Sequence, residues 1–175
     1  MTINDFWNII ELGQDIKNSC EETDELIESH LKTLSNKELI SYQKIFTTLW
    51  NDAYRWDLWR VAYIVEGGCG DDNFMDFRAS LISFGREVYE NTLRNSDSFA
   101  FFSSLDKNVT EDRIYNESFI NLAVKVYEKR TSNDIYDEFE FLYTDEPLGE
   151  KIDWEDEDIE AKLKHKYPNL MKMYW

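Results

Sequence analysis

The sequence predicts an all-α, mainly helical protein: a compact multi-helix single domain over residues 1–175, with an irregular acidic C-terminal segment. Three observations lead there. Apolar residues recur at three- and four-residue spacing through most of the first 130 positions, the period of a helix face. Breakers are scarce, six Gly and two Pro in 175 residues, so helices have room to run. Hydrophobic residues make up 42% and aromatic ones 15%, ample area for a core at roughly 25 cal/mol per Å².

The elements follow in order. Ile3, Phe6, Trp7 and Ile10 lie on one helical face. A second helix is expected over about Glu22 to Leu34, with Leu26, Ile27 and Leu31 apolar. Ser35-Asn36-Lys37-Glu38 fits a capping box, in which hydroxyl and carboxylate each satisfy an orphan backbone N–H. Beyond it Leu39, Tyr42, Phe46, Leu49, Trp50 and Ala53 hold helical spacing. A break near Arg55 precedes the stripe Leu58, Val61, Ala62 and Val65, which Gly67-Gly68 ends. Asp71 and Asp72 sit where an N-cap belongs, ahead of Phe74, Phe77, Leu81 and Phe84. Gly85 interrupts; Val88, Tyr89 and Leu93 resume. After the loop Asn95–Ser98, Phe99–Phe102 reads as a helical turn, and a last long helix is expected from about Thr110 to Arg130, with Tyr115, Phe119, Leu122, Ala123 and Val126 inward.

The tail differs. Residues 134–160 hold thirteen acids and one base, Lys151, so this stretch carries −12 of the net −17. Phe139, Phe141, Leu142, Tyr143 and Trp154 are interleaved with the acids. Residues 133–160 therefore read as a long loop packed by aromatics, with room for a short strand, followed by a helix from about Glu155 to Lys164.

A charge of −17 repels nucleic-acid backbones and anionic lipid, so direct nucleic-acid or membrane binding is not expected and a partner drawn by long-range field is basic. The same charge also serves plain solubility. Cys20 and Cys69 form no CxxC pair and suit a reducing compartment. With no basic, apolar leader at Met1 and no apolar run near 20 residues, a cytoplasmic location is expected.

No catalytic residue, cofactor or metal site is read from the chain. His30 and His165 stand on separate predicted helices without the clustered ligands zinc needs. Gly67-Gly68-Cys69-Gly70 lacks the Lys-Ser/Thr of a phosphate loop and is followed by two aspartates. Asp71, Asp72 and Asp76 have the chemistry for a hard cation, but helix-start capping explains Asp71 and Asp72 more simply. Arg78, a cation beside the core stripe, is expected to pair with a carboxylate such as Asp57 or Asp71, or else to hold an anion.

Several short motifs together carry a resemblance: Asn4-Asp5-Phe6-Trp7, Tyr54-Arg55-Trp56-Asp57-Leu58-Trp59, Gly67-Gly68-Cys69-Gly70-Asp71-Asp72, and Phe74-Met75-Asp76-Phe77-Arg78 followed by Leu81-Ile82 and Gly85. The chain resembles a bacterial family known only as domain of unknown function 4240, over about residues 3–130, with a weaker echo at Trp154 and around Pro168. The resemblance implies a bacterial, intracellular helical domain and no established reaction. Ser80, where the family tends to carry an aromatic, and Ser96, where a proline is common, depart from its pattern.

Two functional readings result. In one the protein is a non-catalytic acidic binder of a basic partner, of the kind that inhibits a toxin as an immunity protein or mimics nucleic acid. Its partner-facing residues are Asp137, Glu138, Glu140, Asp145, Glu146, Glu155 and Asp156. In the other it is a small-ligand sensor or enzyme, with Asp57, Asp71, Asp72 and Arg78 converging beside Trp56 in one cleft.

Overall fold

A computed structural model describes residues 1–14, 19–105, 114 and 116–175. Eleven α-helices and no strands occur among the described residues. The first six are α1 (Ile3–Glu11), α2 (Cys20–Leu31), α3 (Asn36–Asp52), α4 (Trp56–Glu66), α5 (Asp71–Ser83) and α6 (Arg86–Arg94). The others are α7 (Phe99–Leu105), α8 (Glu117–Ile120), α9 (Leu122–Thr131), α10 (Ile159–Lys166) and α11 (Pro168–Tyr174).

Local chemistry fixes the boundaries. Thr2, Ser19 and Ser35 start α1, α2 and α3 with full capping boxes, the partners being Asp5, Glu22 and Glu38. Gly67 closes α4 in the left-handed region at φ 71°. Gly85, at φ 91°, makes the corner between α5 and α6, and a Cβ there would lie 2.4 Å from the Gln14 amide, which itself donates to the Ser83 carbonyl.

The predicted stripes pack as one core, except that Ile3 stands 41% exposed and Ile9 takes its place on the inward face of α1. Phe6, Ile10, Ile27, Leu31, Leu39 and Tyr42 meet at the α1–α2–α3 end, with Phe6 and Tyr42 rings 4.8 Å apart. Phe74, Phe77 and Phe99 continue it through α5 to α7. Helix α9 packs on α2 and α3, α8 on α5, and α11 on α4 and α7.

Four expectations need correction. In α2 it is Asp24, with Thr23, Ile27 and Leu31, that turns inward, while Leu26 stands 41% exposed. The helix expected over 110–130 is broken: Asn116 caps α8 with its side chain, and Asn121 (φ −102°, ψ 5°) separates α8 from α9. Residues 110–113 and Tyr115 of that expectation lie outside the described residues. The tail helix begins at Ile159 rather than Glu155, because Asp153 and Asp156 spend their carboxylates on the N–H groups of Glu155 and Asp158 in local turns. The tail also holds no strand among the described residues, only a parallel bridge between Arg55 and Leu148, and a further helix, α11, follows α10.

Candidate functional site

The polar residues of the α4 and α5 starts take different partners. Asp57, in the first turn of α4, takes a two-pronged ion pair from Arg55: Nε at 2.9 Å and Nη2 at 2.8 Å. Its Oδ1 also accepts the Leu58 N–H, and Arg55 spends Nη1 on the Leu93 carbonyl. Trp56 stacks on Trp59 at 5.2 Å between ring centres and gives its backbone N–H to the Leu148 carbonyl. Asp71 and Asp72 are exposed in the first turn of α5, but the cap residue is Gly70, without a side-chain cap bond. They meet the positive helix end as anions and not as caps. Asp76 is partly buried; burial, Glu117 and Asp72 together push its carboxyl above the ordinary range.

Arg78 overturns the expected carboxylate pairing. It is buried, and its guanidinium lies 3.6 Å from the centre of Trp50, 4.5 Å from that of Tyr54 and 5.2 Å from that of Phe74. Long bonds run from Nε to the Phe74 carbonyl (3.4 Å) and from Nη1 to the Trp50 carbonyl (3.3 Å). Burial lowers its pKa to about 10, so the cation persists at neutral pH inside an aromatic cage. Neither Asp57 nor Asp71 is in an ion pair with it among the described residues. Asp57 instead lines a cleft of about 480 Å³ with Arg55 and Arg60.

The acidic segment at 133–160 is pinned, not free. A 3₁₀ turn at Ile135–Glu138 buries Ile135, and the Gln43 amide donates to the Tyr136 hydroxyl at 2.9 Å. Asn51 grips Thr144 twice, giving its amide N–H to the hydroxyl (2.9 Å) and taking the backbone N–H (3.0 Å). Leu148 bridges the main chain of Tyr54 and Trp56, both at 2.9 Å. Ile152 is buried, and Trp154 stacks on Tyr63 at 4.3 Å.

Between those pins the side chains face outward. Asp137, Glu138, Glu140, Asp145, Glu146 and Glu155 are exposed, and Asp156 is half-buried. Glu138 accepts the Tyr127 hydroxyl at 2.7 Å, and Asp156 pairs with Lys162. Among these acids Leu142 is 91% and Tyr143 60% exposed, with Phe141 set edge-on to Tyr143.

Several structural polar residues escaped the sequence reading. Asp24 accepts from the Asn116 amide (2.8 Å) and the Ser118 hydroxyl, tying α2 to α8, and burial raises its carboxyl above the usual range. Ser80 accepts the Asn116 N–H at 2.9 Å, which gives that departure from the family pattern a bonding role. Asp97 takes the N–H groups of Asn169 (3.2 Å) and Leu170 (3.0 Å) at the start of α11. Asp24 had a signal: its spacing to Ile27 and Leu31 is helical. Asp97 and its partner helix are 72 residues apart and left none.

Among the described residues no three His, Cys, Asp or Glu side chains are grouped to hold a metal ion, and no helix is long and apolar enough to cross a membrane. The profile of a family described as protein of unknown function (DUF4240) matches residues 1–140. The chain belongs to that family, and the echo at Trp154 and Pro168 falls outside the matched stretch. No curated protein and no solved structure matched the chain.

Proposed function

We propose that this DUF4240 member is a non-catalytic acidic protein of the bacterial cytoplasm that binds a basic protein partner through residues 133–160. The observation that carries the reading is the pairing of −12 charge with apolar side chains left in water on a segment fastened at several points. Charge speeds encounter with a basic surface, while exposed Leu142 and Tyr143 supply desolvated contact area once docked. Pinning keeps the ordering entropy of the bound segment low. An immunity-type inhibitor of a basic toxin, such as a nuclease, fits this chemistry, as does a nucleic-acid mimic.

The test is affinity capture from the native bacterium on the immobilised full chain, beside a variant with Glu138, Glu140, Asp145 and Glu146 changed to their amides. The proposal expects basic proteins retained at low salt, released at high salt and lost from the neutralised variant. A captured set with no basic enrichment, or one that the variant retains equally, rejects it.

A further inference from the structure

We propose that the cleft between α4 and the Leu148–Lys151 turn binds a small ligand through a single oxyanion group, carboxylate or phosphate, with Arg60 as its anchor. The cleft, about 480 Å³, is lined by Arg55, Arg60 and Lys166 among Asp52, Asp57 and Glu150. That volume lies in the range of ordinary small-ligand sites, about 300–1,000 Å³. A second cavity of about 770 Å³ shares Arg60, Glu150 and Lys166, so Arg60 borders both.

Arg60 is the unexplained group. It is 7% exposed, its Nη2 donates to neutral carbonyls, Glu150 at 3.0 Å and Lys151 at 3.4 Å, its guanidinium also meets the Tyr167 hydroxyl, and its Nη1 is covered with no hydrogen-bond partner. No carboxylate pairs with it among the described residues, and no ring encloses it as Trp50 and Tyr54 enclose Arg78. The Tyr167 hydroxyl beside it is held neutral, its pKa pushed up to about 12 chiefly by burial, and does not balance the charge. A buried guanidinium short of acceptors keeps part of its desolvation penalty uncompensated. An oxyanion in the cleft offers Arg60 the charged acceptor that it lacks, through charge-assisted bonds about twice as strong as neutral ones.

The acids in the cleft leave room for one. Asp57 is saturated by both prongs of Arg55. Glu150 reaches Lys166 at 3.4 Å with 78% of its side chain exposed, so an incoming anion displaces it readily. Burial raises the Asp52 carboxyl above its ordinary range. The ligand enters over Gly149, where a Cβ would meet nothing within 4 Å. The surrounding −17 field disfavours a polyanion, which limits the ligand to one anionic group.

The experiment titrates inorganic phosphate and, separately, acetate into the full chain at constant ionic strength, with chloride as reference. NMR follows the Arg60 Nε–H and the Gly149 N–H. Phosphate strengthens folding non-specifically by exclusion, so saturation and variants decide, not thermal stability. Saturable shifts at both probes with either anion support the site, and which anion saturates names the group. Binding should weaken about 3-fold in Lys166→Gln, as loss of a rim charge implies, and vanish in Arg60→Gln. Lys166 is exposed, so that variant stays informative if Arg60→Gln fails to fold. Shifts that are linear and equal to those in chloride, or unchanged affinity in Lys166→Gln, overturn the proposal.

Discussion

The helical body and the acidic segment that crosses it treat apolar side chains in opposite ways. In the body, Phe6, Phe74, Phe77 and Phe99 fall at helical spacing and are buried. In the segment, Phe141, Leu142 and Tyr143 follow one another with no helical turn to sort them, and Leu142 projects almost wholly into water. The body is held by burial spread over many residues. The segment is held by a few separated contacts, Gln43–Tyr136, Asn51–Thr144 and Leu148 on the main chain of Tyr54 and Trp56, with Ile135, Ile152 and the Trp154–Tyr63 stack as isolated apolar anchors. Burial makes the first region intolerant of change, whereas pinning fastens the second while leaving its face available.

That contrast breaks most sharply at the extremes. Phe77→Ala, in the body, should cost about 3–5 kcal/mol, read as a fall in the denaturant midpoint. Asn51→Ala should cost about 1 kcal/mol in global stability yet strongly raise amide exchange at Thr144, because it removes both bonds of one pin. A global loss as large as that at Phe77 would show that the segment belongs to the cooperative core.

Asp24 supplies a smaller effect, visible as a slope. Burial raises its folded carboxyl above the ordinary value, so the native state binds that proton more tightly than the unfolded chain does. Its contribution to stability therefore falls as pH rises from about 4 through the raised value. Stability of wild type relative to Asp24→Asn should decline over that window, and a difference that is flat with pH contradicts the burial of the carboxylate. Smallest of all, Leu142→Ala should leave stability within about 0.5 kcal/mol while reducing the capture of basic proteins that the proposed function expects.

The body was the legible region for a physical reason. Its signals are local: Ser35 and Glu38 cap within one turn, and Leu39, Tyr42 and Phe46 repeat within three. Gly67 and Gly85 stand where positive φ is required. What the sequence hid is set across long separations. Nothing near Arg78 told whether a carboxylate or three rings would enclose it, since Trp50 and Tyr54 arrive from the helix α3 side and Phe74 from one turn away. Asp71 and Asp72 have the composition of caps, but one residue of register places Gly70 in the cap position. Arg60 and Asp57 share a cleft only because the Leu148–Lys151 turn folds back about 90 residues to form its wall.

One arrangement reaches beyond folding. Tyr63 is flanked by two indoles, Trp154 at 4.3 Å from the acidic segment and Trp175 at 6.1 Å beyond the last helix. Tyrosine excitation passes to tryptophan efficiently at such range, and the emission of each indole depends on how wet its surroundings are. The molecule thus carries a built-in optical gauge of how the acidic segment sits on the body: substituting Trp154 or Trp175 singly by Phe would separate the two signals and let a shift of the segment be watched without any attached dye.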